Sequence, residues 1–501
     1  MSNEKILLRG YIKMRFVHKD VQILNRSVRI IIDRQKDSFY IYDPDTALFA
    51  ELKEQVGKDI LNEKFTSSVE EVLITFLTLE EKNKKMSLNL TTDASSILAI
   101  SLGTRTDCNM SCTYCYNNNH FEKNGRKDIF QMDHHIAMNV IESALCLLHD
   151  NDVLSVQFIG GEPLLDFESV KKIIIETEAR ALSINRSVRF SINTNGTLLD
   201  KKKAVFLNEH KVSIYISIDG SKEQHDKHRI FKDGSGSYML IARKLKEFLE
   251  TYDGTVRTCR ITASSKNFDF IEAVKSCIEL GFNNIATGIP FSNILQSVEM
   301  EEGETIVNEL LIGIKKLRQY CIEQYKMGAA FRLGIFHNTM FHLYAYRPQM
   351  ITCGAIRRYV AVSPNGEIVP CHRYLGTTDK TKIIGNIDNI GTSNPLNIEQ
   401  RNSFIMDQGF DDFGDVECSK CWVKRLCGGM CYEVGEEMKD NDQLKHLICK
   451  FKKGLIAEVM EMYVEIQEIP ELFNYVMTMN SNLRSDETAQ NSFAEKMRRL
   501  K

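Results

Sequence analysis

Fourteen cysteines occur in 501 residues, and ten of them stand in short-spaced groups rather than scattered through periodic segments. A fold for this chain has to bring those groups to common points. In a reducing compartment, clustered thiols read as ligands of a metal or an iron–sulfur cluster rather than as disulfides. The first group is Cys108-x3-Cys112-x2-Cys115, in TDCNMSCTYCY. The second runs Cys353-x12-Gly366-x4-Cys371, then Cys418-x2-Cys421-x5-Cys427-x3-Cys431, and ends at Cys449. Cys146, Cys259, Cys277 and Cys321 lie in apolar or periodic stretches and read as small buried hydrophobes.

The chain is too long for one ordinary core, which predicts two to four domains. With 43% hydrophobic and 26% charged residues it has the composition of a soluble globular protein. A net charge of −3 gives no reason to expect nucleic acid or an anionic membrane as a partner. No apolar run reaches the roughly 18 residues of a bilayer span. MSNEKILLRG lacks the pattern of a secretory signal. A cytoplasmic protein is expected.

Residues 1–95 hold no cysteine and read as a separate unit. Alternation in ILLRGYIKMRFV and SVRIIIDRQKDSFYIY predicts three or so strands. Asp45 through Glu54 reads as a helix start, SSVEEVLITFL from Ser67 as a further helix, and EEKNKK as a solvated boundary. From Leu98 the pattern changes. LAISLGT, VLSVQFIGG, VRFSINTNG, VSIYISIDG, VRTCRITAS and NNIATGIP are six short strand-like runs, separated by helical segments such as HHIAMNVIESALCLL. That alternation predicts a parallel sheet with right-handed crossovers, flat or curled into a partial barrel, with ligands at the strands' carboxyl ends. Residues 301–327 carry Ile306, Leu310, Ile314, Leu317 and Cys321 at helical spacing, predicting the helix that closes this region. GLIAEVMEMYVEI predicts an amphipathic helix, and the polar end from about Ser481 is expected to be mobile. The resulting division is 1–95, 96–328, 329–452 and 453–501.

Three thiolates leave one iron of a cuboidal 4Fe–4S cluster without a protein ligand. An open coordination position is what a catalytic metal needs. The alternative at the first group is zinc completed by His120, His134 or His135. It is weakened because no H-x3-5-H pair follows in that stretch, and adjacent His134 and His135 would point to different faces of their helix. Tyr114, between the last two thiols, reads equally well as packing.

C-x3-C-x-aromatic-C after a first barrel strand resembles the signature of the radical S-adenosylmethionine (SAM) superfamily, and the following motifs are similar one by one. Gly160-Gly161-Glu162-Pro163 closes the second strand and resembles the glycine-rich segment that contacts the SAM amino group. Glycines let backbone approach a ligand, and Glu162 could accept from an ammonium. Asn193-Thr194-Asn195-Gly196 ends the third strand and Ser217-Ile218-Asp219-Gly220 the fourth, followed by His225, Asp226 and Arg229 in HDKHR. The resemblance implies that Ser217 and Arg229 hold the SAM carboxylate and ribose, a task that suits a bidentate guanidinium. For Asn195, His225 and Asp226, turn and cap hydrogen bonds are as good a reading as ligand contact. The resemblance covers roughly residues 98–290. It implies a TIM-like partial (β/α)6 barrel, a cluster at Cys108, Cys112 and Cys115 whose open iron chelates SAM, and a 5′-deoxyadenosyl radical as the hydrogen abstractor. It further implies a reducing electron donor such as a flavodoxin or ferredoxin.

Read from its residues alone, the second cysteine group predicts one or two metal sites, with zinc a fair guess. Its seven thiols and Gly366, in this order, resemble the SPASM extension of radical SAM enzymes. That resemblance implies two auxiliary 4Fe–4S clusters, three in all. One would be closed by Cys418, Cys421, Cys427 and Cys449, the other held by Cys353, Cys371 and Cys431. Some relatives supply a fourth thiol six residues after the first; this chain has Tyr359 there. An open auxiliary iron could bind a substrate thiolate, or another side chain could fill it.

SPASM proteins largely modify peptides and proteins. Sulfatase maturases of this kind usually place an Asp after the second SPASM cysteine, whereas here His372 and Arg373 follow Cys371. In DSFYIYDPDTALFAEL followed by SSVEEVLITFL, the N-terminal unit resembles a RiPP recognition element, a small winged-helix-like α+β domain. That implies a precursor peptide whose leader adds as a strand to a sheet edge. The expected activity is therefore that of a maturase of ribosomally made peptides, like the sactipeptide and ranthipeptide maturases, joining a Cys to an acceptor residue by a thioether. The alternatives are a sulfatase maturase making formylglycine and a maturase that forms carbon–carbon cross-links. A non-catalytic electron carrier would leave the GGEP segment and Ser217 and Arg229 without a purpose. His372 and Asp226 are candidate acid–base residues, His372 serving equally well as a neighbour of a ligand thiolate.

Overall fold

Alternating side chains in the first fifty residues build an antiparallel meander of four strands: β1 (Phe16–Ile23), β2 (Arg26–Asp33), β3 (Ser38–Asp43) and β4 (Leu48–Leu52). The computed structural model describes residues 15–23, 26–72, 74, 98–115, 131–254, 257–295, 298–344, 348–349, 353–356, 359–377, 379–387, 416–439 and 441–481. The EEKNKK boundary, His120 and the tail beyond Ser481 lie outside them. The helix expected to start between Asp45 and Glu54 begins later, as α1 (Glu54–Leu61). Asp43 accepts from the Thr46 N–H at 3.1 Å and Ala47 takes a left-handed φ of 58°, closing a hairpin that returns Leu48–Leu52 against β3 as a fourth strand. A further helical stretch covers residues 67–72.

The two faces of this sheet bury different sets of residues, as the period of two requires. Val28, Ile30, Phe39 and Ile41 face Val56, Ile60 and Val69 in a small core of their own. Phe16, Ile31, Tyr40, Tyr42 and Phe49 belong to the main core of the molecule. One face of the four-stranded sheet is therefore covered by the rest of the molecule.

The six runs between residues 98 and 290 are six parallel strands, neighbours in chain order: β5 (Ala99–Gly103), β6 (Val153–Ile159), β7 (Ser187–Thr194), β8 (Ser213–Ser217), β9 (Thr258–Thr262) and β10 (Asn284–Gly288). Between them run α2 (His134–Cys146), α3 (Phe167–Ser183), α4 (Lys201–Glu209), α5 (Tyr238–Leu249) and α6 (Phe270–Glu279). Four of these start on an aspartate that accepts from a first-turn N–H: Asp133 for α2, Asp166 for α3, Asp200 for α4 and Asp269 for α6. α2 buries Ala137, Val140, Ile141, Ala144 and Leu145. Cys146 follows that face by one residue, about 100° further round the helix. It is exposed, whereas the sequence had suggested burial; Cys259, Cys277 and Cys321 are buried.

Beyond β10, α7 (Met300–Lys326) buries all five positions read from the sequence. The sheet continues past residue 328. β11 (Arg332–Leu333), which leads into α8 (Gly334–Tyr344), pairs parallel with β10. At the other edge β12 (Tyr359–Val362) pairs parallel with β5, followed by β13 (Glu367–Val369) and β14 (Gly385–Asn386). Gly366, at φ 82°, makes the turn between β12 and β13, where a Cβ would meet Ile387 at 2.4 Å. The C-terminal part is helical: α9 (Tyr432–Lys439), α10 (Asp442–Gln467) and α11 (Pro470–Ser481). α10 lies against α7, where buried Arg318 pairs with Glu458 at 2.8 Å, with Glu461 at 2.9 Å and with Glu465. No helix among the described residues is long and apolar enough to cross a membrane.

Candidate active site

β5 ends at Gly103, and the chain then forms the loop that carries Cys108, Cys112 and Cys115. The GGEP segment after β6 is what holds this loop down. The Gly161 N–H donates to the Arg105 carbonyl at 2.8 Å and the Glu162 N–H to the Asp107 carbonyl at 3.1 Å. A Cβ on Gly160 would stand 2.5 Å from the Arg105 carbonyl oxygen, and one on Gly161 1.9 Å from that of Asp107. The close approach that these two glycines allow here is to the backbone of the cysteine loop. Glu162, 1% exposed, accepts from the Leu164 N–H at 3.0 Å, Thr194 Oγ1 at 2.7 Å and the Asn195 N–H at 2.7 Å. It straps β6 to the end of β7, and burial raises its pKa despite those three donors.

Asn195 belongs to the same strap. Its Nδ2 reaches Cys108 Sγ at 3.6 Å and Asn109 Oδ1 at 2.9 Å, while its Oδ1 accepts from the Thr197 N–H at 2.9 Å. Cys108 Sγ also accepts from the Met110 N–H at 3.4 Å. Burial pushes the Cys108 thiol up to about 12 and the Cys112 thiol up to about 11, with Arg229 opposing it at Cys112. A bound metal reverses that logic, because a coordinating thiol is deprotonated outright.

Arg229 is 7% exposed and sits with Nη1 4.0 Å from Cys112 Sγ and its guanidinium centre 5.4 Å from the Tyr114 ring centroid. Its Nε donates to Asp219 at 3.0 Å. Asp219, 1% exposed, also accepts from the Tyr114 hydroxyl and from the Thr262 N–H at 2.8 Å. Asp219 is the residue that sequence reasoning passed over. The signal was its place in Ser-Ile-Asp-Gly at a strand's carboxyl end, where a buried carboxylate needs a cation.

His225 and Asp226 stand in supporting positions. His225 Nδ1 accepts from the Asp219 N–H at 3.2 Å, so its Nε2 carries the proton toward Ser237 Oγ at 2.9 Å. Burial lowers its pKa to about 3, with Arg229 adding to the effect, so it is neutral. Asp226 accepts from the Tyr238 N–H at the start of α5 at 2.8 Å and pairs with Lys222 at 3.2 Å. Ser217 ends β8, half-buried. His134, one of the candidate zinc ligands, pairs with Glu176 of α3 at 2.7 Å.

The structure gathers the seven downstream thiols into two sets. Cys353, Cys371 and Cys431 act on one another electrostatically, and so do Cys418, Cys421, Cys427 and Cys449. The four-thiol set lines a cavity of about 450 Å³ whose wall also holds Cys431 of the other set and Lys424, Lys439, Lys445, Lys452 and Lys453. Among the described residues, no three His, Cys, Asp or Glu side chains close on a single metal ion. Tyr359 is tied elsewhere: its hydroxyl lies 3.0 Å from Ser101 Oγ of β5 and 2.7 Å from His372 Nδ1. Ser101 donates to Gln157 Oε1 at 2.8 Å and Gln157 Nε2 to Asn193 Oδ1 at 3.3 Å, so a polar chain crosses β5, β6 and β7. Burial, then Arg260 and Arg373, lowers the His372 pKa to about 3.

The model of the radical SAM superfamily matches residues 105–296, which span the cysteine loop, GGEP, Asp219 and Arg229. Residues 105–296 are a radical SAM domain. Such a domain implies SAM and one 4Fe–4S cluster as cofactors, and the three thiols with their adjacent donors fit that group. An uncharacterized protein of Methanocaldococcus jannaschii is 34% identical over 36% of this chain, which spans 58% of that relative's length. The radical SAM cyclopropyl synthase TigE of Paramaledivibacter caminithermalis is 29% identical over 76% of this chain and 77% of its own. A cysteine-type anaerobic sulfatase-maturating enzyme of Clostridium perfringens is 23% identical over 69% of this chain and 91% of its own. Among solved structures, that of native anSMEcpe with bound AdoMet superposes with a TM-score of 0.59 at 20% identity, covering 77% of this chain and 99% of the other. That likeness is one of fold.

Proposed function

We propose that this radical SAM protein is a peptide or protein maturase with three 4Fe–4S clusters, and that its product is a thioether between a cysteine and an acceptor residue of a ribosomally made precursor peptide. The observation carrying the reading is the grouping of the downstream thiols into one set of four and one of three. Cys108, Cys112 and Cys115 would hold the SAM-binding cluster, Cys418, Cys421, Cys427 and Cys449 a closed auxiliary cluster, and Cys353, Cys371 and Cys431 an incompletely ligated one. With SAM bound, the first cluster supplies a 5′-deoxyadenosyl radical that takes hydrogen from the substrate.

The chain's own residues would do the rest. Arg229, held by Asp219, offers its free edge to the SAM carboxylate or ribose beside Ser217, with Tyr114 beneath it. Gly160, Gly161, Glu162 and Asn195 keep the cysteine loop and the amino-group end of SAM in register. His372, bonded to Tyr359 and held neutral, would serve as a neighbour of the Cys371 ligand thiolate rather than as the base, since its lowered pKa opposes taking up a proton. We leave Asp226 to its capping role. β1, an edge of the N-terminal sheet among the described residues, is the strand to which a leader would add. An acidic flavodoxin or ferredoxin would supply the electron, in the cytoplasm, where the thiols stay reduced.

A second reading is favoured by the Clostridium perfringens relative: oxidation of Cys or Ser to formylglycine in a sulfatase. A third, carbon–carbon bond formation, is favoured by the cyclopropyl synthase. Reconstituted protein, SAM and reductant, assayed against a Cys-rich precursor peptide and against a sulfatase-derived peptide, separate them. Loss of two hydrogens together with loss of an alkylatable thiol supports the thioether. The same mass change with the thiol retained supports a carbon–carbon bond, and a hydrazide-reactive aldehyde supports formylglycine. Stoichiometric zinc with little iron would sink all three.

A further inference from the structure

Three contacts seat the N-terminal sheet on the Cys418–Cys427 loop. The Arg29 guanidinium of β2 stacks 3.4 Å over the Trp422 ring. Asp45, in the turn after β3, pairs with Lys424. Tyr42 of β3 meets the edge of Trp422 with ring centroids 6.4 Å apart. Trp422 is the residue next to Cys421 and Lys424 lies three beyond Cys421, so all three contacts fall on the segment that directly follows one thiol of the four-thiol set.

Tyr42 is anomalous among them. It is 0% exposed, and its hydroxyl has no hydrogen-bond partner among the described residues. Nearly every buried hydroxyl is satisfied, and one that is not costs the full desolvation of the group. A phenol is protonated at neutral pH and so is a donor. A donor without an acceptor, set against a cysteine loop, is what a thiolate sulfur in a loaded cluster would satisfy.

We propose that Tyr42 is a positioning residue for the auxiliary cluster at Cys418, Cys421, Cys427 and Cys449. Its hydroxyl donates a hydrogen bond to the Cys421 thiolate, so that the seating of the N-terminal sheet sets that cluster's reduction potential. This rests on the reading of the four thiols as cluster ligands. Hydrogen bonds to the sulfurs are one of the established levers on such potentials. A donor stabilises the reduced cluster more than the oxidised one, because reduction adds negative charge to the sulfurs. Occupancy of the N-terminal unit by a peptide would reach the redox centre through one phenol.

Tyr42→Phe keeps the ring against Trp422 and removes the donor alone. Full-length wild type and variant, reconstituted anaerobically, are compared by iron content and by redox titration followed by electron paramagnetic resonance. The expected result is equal iron, with one auxiliary signal shifted to lower potential and the others unmoved. A tenfold change in its reduced-to-oxidised ratio corresponds to 59 mV for one electron. In wild type reconstituted in D2O, pulsed measurements on that signal should show an exchangeable deuteron coupling that the variant lacks. Equal potentials, or a wild-type signal without that coupling, overturn the proposal. The second criterion needs no variant and holds even if Tyr42→Phe fails to fold. Wild type that binds no iron at the downstream thiols sinks the cluster reading as well, which separates the two failures.

Discussion

Arg229 places a guanidinium nitrogen 4.0 Å from the Cys112 sulfur, and it can do so only because Asp219 balances its charge from the other side. Asp219→Ala would leave that arginine buried and unpaired. We expect a loss of about 3–5 kcal/mol in unfolding free energy, the usual cost of breaking a buried pair from one side. Chemical denaturation of the apo chain measures it. Asp219→Asn keeps the shape but also leaves the Arg229 charge unbalanced, so it too should lose stability. It should lower the 5′-deoxyadenosine yield by at least tenfold, since Arg229 is no longer fixed beside Cys112. A D219N variant with unimpaired SAM cleavage would refute this role.

Gly161→Ala tests the support of the triad separately from the triad itself. A Cβ there would sit 1.9 Å from the Asp107 carbonyl oxygen, so the loop must move. The expected outcome is loss of about a third of the bound iron and all SAM cleavage, with the downstream iron retained. Cys112→Ala should give the same pattern without displacing the loop. Retention of full iron in either variant would contradict the assignment.

Acid sensitivity follows from His225. Its pKa is lowered from 6.5 to about 3 in the fold, so the folded state resists a proton that the unfolded chain accepts. Stability from this group is fully present above pH 6.5 and is lost as pH falls toward 3, at up to about 1.4 kcal/mol per pH unit. Buried His337 is lowered to about 3 as well and adds in the same direction. Comparing urea unfolding of wild type and His225→Gln between pH 7 and pH 5 cancels the other groups. The variant should be less stable at pH 7 and lose less on acidification. Parallel curves would show that His225 is protonated in the fold.

Arg318 is the joint between α7 and α10, 4% exposed in its side chain and facing Glu458, Glu461 and Glu465. Arg318→Met fills its volume but strands three carboxylates. A loss of about 3–5 kcal/mol is expected. Adding Glu461→Gln and Glu465→Gln should recover part of it, a coupling read from a double-mutant cycle. Additive effects would mean that the four groups do not act together.

The barrel was legible because its strands are short apolar or β-branched runs, five of the six ending on or shortly before a glycine, a local signal. The two cysteine groups were legible because thiol spacing is a property of sequence alone, whereas the division of the second group into four and three came from the family resemblance and not from spacing. Asp219 was not, since its role depends on Arg229 ten residues away and Tyr114 a hundred residues upstream, brought together only by the fold. The Leu48–Leu52 strand was misread because its turn chemistry, Asp43 with Thr46, serves a hairpin and a helix start equally well. Nor could sequence show that Gly160 and Gly161 pack on backbone, or that Tyr40, Tyr42 and Phe49 belong to the main core.

β12 pairs with β5 in a register that sets Tyr359 against Ala99 and Val362 against Leu102. β5 leads into the first cysteine loop, and β12 stands between Cys353 and Cys371. Two reactive regions far apart in the chain are thereby ruled off on one hydrogen-bonded scale. A slip by one residue would turn every side chain to the wrong face, so the smallest tolerable error is two residues, about 6.6 Å. Electron tunnelling decays exponentially over such lengths. For the proposed clusters, the gap that an electron would cross between the two regions is therefore set in steps by backbone pairing, and side-chain substitutions would tune traffic across it without altering its span.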